Sequence, residues 1–298
     1  MPNYQGVWSL SEQYQNRTGW PRPPATAFIG GLINDGTIIS MLLSSGATFS
    51  DFGTLDTEVT ETSGVCNGIR LVTMGGNPGS GAGTSKIQYI TVATGGDSVD
   101  FGNLAFNIQA TGALSNSIRG LEVGGWGNYT SNNIIQYVTI ASAGNATDFG
   151  DLSVGNNYIT PCASPTRGVI NLPNSNTIEY VTIASAGNAT DFGDMTVSRS
   201  ASGASSSTRA LFAGGSSTNV IDYVTIATTG NAADFGDLPS STGRGPGTSD
   251  SIKAFFLNTS DTTMTAATIA SLGNAVDFNV VDIANRSIFV SNAHGGLQ

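Results

Sequence analysis

The fifteen residues YVTIASAGNATDFGD occur twice, letter for letter, at Tyr137–Asp151 and Tyr180–Asp194. Identity over such a length at an offset of 43 residues means that one structural unit is built more than once. Diverged copies flank the pair: Ile87–Leu104 upstream, Ile221–Leu238 and Met264–Val281 downstream, and an eroded first copy at Ile38–Leu55. Anchored on the Asp-Phe pair, the copies fall at Asp51, Asp100, Asp148, Asp191, Asp234 and Asp277, in steps of 49, 48, 43, 43 and 43 residues. Six modules account for nearly everything after residue 24.

Each module reads as short strands. In Thr208–Gly215, an apolar run closes on a Gly pair, the pattern of a buried strand ending in a turn. The following NVIDYVTIAT is apolar or small on both alternating faces, which places it between two layers. The segment TGNAADFGDL then reads as a turn and a third strand, and the small polar tail of the module as a loop and an outer edge strand. Four short strands per 40 to 50 residues is the signature of a propeller blade. The expected fold is therefore all-β, a six-bladed β-propeller of four-stranded antiparallel blades over residues 25–298, preceded by an N-terminal arm, residues 1–24. A β-solenoid is the weaker alternative, because its coils are usually much shorter. Near the C-terminus, Arg286–Asn292 looks like a displaced extra strand. It is expected to complete a blade begun at the N-terminus.

A second periodic feature lies 18 or 19 residues past each repeat aspartate, at Arg70, Arg119, Arg167, Arg209 and Lys253. Pairing of these residues with the repeat aspartates, in partly buried bridges between blades, is the expected role of both sets. The acidic cluster GNATDFGD otherwise invites a calcium reading. The second acid, present as Asp151, Asp194 and Asp237, is replaced by Thr54, Asn103 and Val280 in the other modules, and the alternating acids and closing Glu of a helix–loop–helix site are missing. Asn and Asp stabilising a turn through their own backbone is the simpler reading.

Other chemistry is thin. The single histidine, His294, falls in what reads as a frayed tail, which leaves no Ser-His-Asp arrangement. No carboxylate pair breaks the repeat as glycosidic acid and base would, and Gly75–Gly83 lacks the GK[ST] of a phosphate loop. Cys66 and Cys162 stand at nearly equivalent places two modules apart, beyond disulfide reach, and are expected to be free buried thiols without metal-ligand spacing. No catalytic, cofactor or metal residues are assigned. A net charge of −10 argues against nucleic acid, and no apolar run is long enough to cross a bilayer. Nothing in MPNYQGVWSLSEQYQ resembles a secretory signal.

Three segments escape the repeat. The loop Gly124–Asn133 carries Trp126 and Tyr129, rings suited to stacking on a sugar. The seam lies near Arg286. The arm before Ala25 carries Trp8 and Trp20, an amphipathic stretch from Ser9 to Tyr14 read as a short helix, and a Pro-rich exit. Its tryptophans are expected to anchor it to the ring or to another subunit.

The module Y[VI]T[IV]A[ST]xGNAxDFG[DN]L, alternating with an Arg-started apolar strand closed by Gly-Gly, resembles kelch-like repeat proteins of tailed bacteriophages, notably those infecting cyanobacteria. The opening GVWSLSEQYQ…GWP is similar to a short start on many virion structural proteins of such phages. The resemblance implies a non-enzymatic, multi-copy virion component, either a tail-fibre or adhesin head or a capsid or tail decoration protein, docked to other virion proteins through residues 1–24. An adhesin would bind host-surface glycan. A propeller-type glycoside hydrolase is the alternative from a different class.

Overall fold

The computed structural model describes residues 24–31, 35–46, 49–79, 81–127, 130–258, 263–280 and 287–297. Trp8, Trp20, the Ser9–Tyr14 helix, Tyr129 and Arg286 lie outside these residues. Six four-stranded antiparallel sheets form a six-bladed β-propeller.

Blade 1 holds β1 (Thr26–Gly30), β2 (Thr37–Leu42) and β3 (Ser50–Thr54). Blade 2 follows with β4 (Ser63–Cys66), β5 (Arg70–Met74), β6 (Thr84–Thr91) and β7 (Val99–Ile108). Blade 3 contains β8 (Gly112–Ser115), β9 (Arg119–Gly127), β10 (Thr130–Thr139) and β11 (Thr147–Asp151). Blade 4 contains β12 (Cys162–Ala163), β13 (Arg167–Asn171), β14 (Thr177–Thr182) and β15 (Thr190–Asp194). Blade 5 is built from β16 (Ser202–Ser205), β17 (Arg209–Ala213), β18 (Thr218–Thr225) and β19 (Ala233–Thr242). Blade 6 takes β20 (Gly247–Ser249), β21 (Lys253–Leu257), β22 (Thr263–Thr268) and β23 (Val276–Val280). The last strand, β24 (Ile288–Ser291), returns to pair with β1, Ala27 opposite Ser291 and Gly30 opposite Ile288. The ring thus closes by the strand exchange expected at the seam.

The tail of each module departs from expectation. Ser202–Ser205 is not an outer edge but the innermost strand of the following blade, and β4, β8, β12, β20 and β24 occupy the same place. Small side chains suit this position, because six strands converge on one axis.

Neighbouring blades share the core. Leu114, Leu121, Val123 and Ile135 of blade 3 pack with Ile170, Val181 and Ile183 of blade 4 in one buried cluster. Each such side chain contributes roughly 1.5–3 kcal/mol when fully buried.

The repeated DFG is a β-bulge. Opposite β10, Ile135 pairs with Gly150 and Gln136 with Asp148, so Phe149 is the extra residue. Its buried ring meets Tyr137 edge-on at 5.9 Å, and the same pair recurs as Tyr89–Phe101, Tyr180–Phe192 and Tyr223–Phe235. Gly150 has φ +144°, and a Cβ there would lie 2.5 Å from the backbone of Gly187 in the next blade. Only glycine fits that approach.

What approaches is the GNA segment. In blade 4, Gly187 N–H donates to Phe149 O at 2.7 Å, Ala189 N–H to Asp151 O at 2.8 Å, and Asn188 Oδ1 accepts from Asp151 N–H at 3.0 Å. Asn145, Asn231 and Asn274 repeat the clip. These asparagines stitch one blade to the previous one, rather than stabilising their own turn.

The expected aspartate–arginine bridges do not form. Asp51, Asp100, Asp148, Asp191, Asp234 and Asp277 are all exposed, and the two ion pairs among the described residues are Lys86–Asp56 and Arg199–Asp222. Each arginine lies over the tyrosine of its own blade and donates to a carbonyl of the next. Arg70 sits 4.4 Å from the Tyr89 ring and bonds Ile140 O, and Arg119 sits 4.5 Å from Tyr137 and bonds Ile183 O. Arg167 and Arg209 repeat this over Tyr180 and Tyr223, bonding Ile226 O and Ile269 O. Lys253 approaches the Phe278 ring at 5.9 Å. A guanidinium satisfied this way avoids the desolvation that burying a carboxylate partner would require.

Candidate functional site at the channel mouth

The inner strands all run the same way around the axis, so the channel has two chemically different ends. Hydroxyls join the strands along it: Ser291 Oγ donates to Ser249 O at 2.5 Å, Ser249 Oγ to Ser205 O at 2.5 Å and Ser205 Oγ to Ala163 O at 2.8 Å. The space between them is only about 70 Å³. Cys66 and Cys162 face this region, free and buried as expected. Burial pushes the Cys66 thiol up to about 12 and that of Cys162 further, so neither is a ready nucleophile.

At the end where the inner strands finish, the C-terminal segment folds across the opening. His294 is not a frayed tail residue. Its Nε2 lies 2.7 Å from Cys66 O and 3.2 Å from Ser115 Oγ, while Nδ1 accepts from Gly296 N–H at 3.2 Å. Those partners place the ring proton on Nε2, and burial lowers the pKa, which keeps the imidazole neutral. A short 3-10 turn, Gly295–Leu297, completes the plug.

The opposite end opens into a cavity of about 350 Å³ lined by Thr60, Glu61, Thr62, Ala110, Thr111, Tyr158–Thr160, Arg244–Pro246 and Ser287. These residues belong to the segments that lead from one blade into the inner strand of the next. Three of them, from blades 2, 4 and 6, meet across the axis. Tyr158 Oη donates to Glu61 Oε1 at 2.9 Å, and the Arg244 guanidinium lies 3.8 Å from the Tyr158 ring centre. Burial raises the Tyr158 pKa, and the hydrogen bond to Glu61 raises it further, so the phenol keeps its proton. Desolvation lowers the pKa of Arg244 despite the opposing pull of Glu61. Glu61 Oε2 is buried without a hydrogen-bond partner among the described residues. No ion pair joins Glu61 to Arg244, and no hydrogen-bond acceptor meets the guanidinium among the described residues.

The backbone at the mouth is strained. Glu61, Ala110 and Tyr158 have φ of 51°, 54° and 58°. Two of these N–H groups point backward around the ring, Ala110 N–H to Glu61 O at 2.7 Å and Tyr158 N–H to Ala110 O at 2.6 Å. Non-glycine residues in this region cost about 1–3 kcal/mol each and tend to cluster where a site must be held.

Sequence reasoning missed this triad, although a signal exists. Glu61, Ala110, Tyr158, Ser200 and Arg244 each stand nine residues before a repeat basic residue, so they occupy one register position in successive blades. The identities differ at every copy, which is the mark of a position the repeat does not need. Trp126 shares this face but does not line the cavity. It is the penultimate residue of β9 rather than part of a turn, it is half-buried, and its backbone pairs with Gln109. Among the described residues the cavity lining holds one carboxylate, Glu61, where a paired-carboxylate glycosidase uses two. No cluster of His, Cys, Asp and Glu able to hold a metal occurs among the described residues. No protein-family model and no curated protein matches the chain.

Proposed function

We propose that this chain is a non-enzymatic structural protein of a tailed-phage particle, docked by the face from which residues 1–24 emerge and displaying the opposite face. One observation carries the docked orientation. Seven of the nine exposed large apolar side chains among the described residues gather on one face and on contiguous blades: Ile252, Leu272 and Val276 in blade 6, Leu42 in blade 1, Ile69 and Val99 in blade 2, and Ile118 in blade 3; the other two, Val154 and Val197, follow β11 and β15 on the mouth side. Ile252, Ile69 and Ile118 are 68%, 67% and 61% exposed at equivalent turns, where blades 4 and 5 carry Thr166 and Thr208. An apolar arc of this kind suits a protein partner.

The arc brackets blade 1, where Pro24 leads into β1 on the same face. The start of β1 and the arc therefore share one face, which is the docking surface for other particle proteins in this reading. The opposite face carries the varied loops and the mouth cavity. The phage assignment itself is supported by the likeness of the blade module to phage repeat proteins.

The test is whether the protein is present in purified particles, and whether deletion of residues 1–24 abolishes incorporation while the ring stays folded. Absence from particles refutes the reading, and incorporation without the arm refutes its docking role.

A further inference from the structure

We infer that the channel mouth is a binding site for a small, uncharged polyhydroxylated molecule, such as the terminal hexose of a glycan. The inference rests on the cavity alone and holds whether or not the chain belongs to a particle.

The cavity is of ligand size and already formed. About 350 Å³ falls within the range of small-molecule sites, roughly 300–1,000 Å³, and the walls are held by the hydrogen-bonded left-handed turns at Glu61, Ala110 and Tyr158. A site already held in shape loses little to ordering when it binds.

Three rim hydroxyls have committed their protons to the ring: Thr62 to Met74 O, Thr111 to Ser63 Oγ and Thr160 to Ala201 O. They offer a ligand lone pairs only. Glu61 Oε2 is a further acceptor, buried without a partner among the described residues on a side chain that lines the cavity. Arg244, held flat on Tyr158, supplies the cationic donor. A ligand that fits must therefore donate to several acceptors and accept from one guanidinium. Hydroxyl groups do both at the same atom.

Glu61 and Arg244 attract each other without forming an ion pair, so the mouth holds both signs close together. An anion such as phosphate would gain Arg244 but would face the Glu61 carboxylate. A zwitterionic amino acid would satisfy both charges, but its donors all sit on one ammonium group, whereas the threonine acceptors stand on blades 2, 3 and 4. A neutral polyol meets all of them.

The experiment is ligand-observed NMR on the full chain with glucose, galactose and mannose, and with glycine and inorganic phosphate as competing probes. E61Q, R244Q and W126A are compared, each checked by thermal melting. At least one hexose is expected to bind, with E61Q and R244Q each weakening it by about tenfold or more while W126A leaves it unchanged. Y158F, which keeps the ring under Arg244 and removes only the hydroxyl, serves if R244Q fails to fold and is expected to weaken binding as well. Binding of glycine or phosphate in place of every hexose, hexose binding indifferent to these mouth substitutions, or no binding by any probe overturns the inference.

Discussion

Asn188 Oδ1 accepts the backbone N–H of Asp151 at 3.0 Å, carrying a hydrogen bond from one blade into the outer strand of the previous one. Beside it, Gly150 and Gly187 approach too closely for a Cβ. G150A is therefore expected to destabilise the ring by about 1–3 kcal/mol and N188A by about 1 kcal/mol. Denaturant unfolding reads both. A G150A ring as stable as the parent would show that the bulge is not under this constraint.

The arginine at the start of the second strand of blades 2 to 5 acts through a carbonyl and a ring face. R119A is expected to cost about 1–2 kcal/mol, from its bond to Ile183 O and its contact with Tyr137. D148N is expected to change stability by less than about 0.5 kcal/mol, because the exposed Asp148 is not its partner. A double-mutant cycle between Arg119 and Asp148 should give no coupling. Coupling above about 1 kcal/mol would restore the ion-pair account.

Blade 5 holds a different charge pair. Arg199 and Asp222 are both fully buried, 2.9 Å apart, and Arg199 also donates to Gly214 O and Phe212 O. R199M strands the Asp222 carboxylate and is expected to cost about 3–5 kcal/mol. The double replacement R199M/D222N should be markedly less damaging than R199M alone. Thermal melting of the three variants decides, and equal losses in single and double variants would contradict this.

Glu122 should make stability depend on pH. It is fully buried, its carboxyl has one hydrogen bond among the described residues, from Gln136, and burial raises its pKa well above the usual carboxylate value. The folded chain thus keeps a proton that the unfolded chain releases above its ordinary pKa. Stability falls as pH rises through that window. E122Q removes the effect, so its melting temperature should match the parent near about pH 4 and exceed it increasingly toward about pH 8. Parallel melting curves across this range would mean that Glu122 is charged in the fold.

The ring and its seam were legible because both are carried by period. Fifteen identical residues fix a pitch, and Arg286–Asn292 announces a strand out of phase. Contact partners were not legible from position alone. A basic residue at a constant distance from an aspartate suggests pairing, yet the bulge turns Phe149 inward and leaves Asp148 in solvent. The inner strands escaped notice because Ser202–Ser205 and its counterparts are short and made of small residues. Glu61, Tyr158 and Arg244 lie almost 200 residues apart at the extremes and share nothing but their register. Only closure of the ring brings alternate blades together over the axis.

The most direct test of the account is a cryo-EM reconstruction of purified particles into which the propeller can be docked. The account predicts density for the ring on the particle exterior, with Ile69, Ile118 and Ile252 and the start of β1 against a neighbouring protein and the Glu61–Tyr158–Arg244 mouth facing solvent. A ring absent from the particle, or seated with its mouth inward and the isoleucine turns exposed, would contradict it.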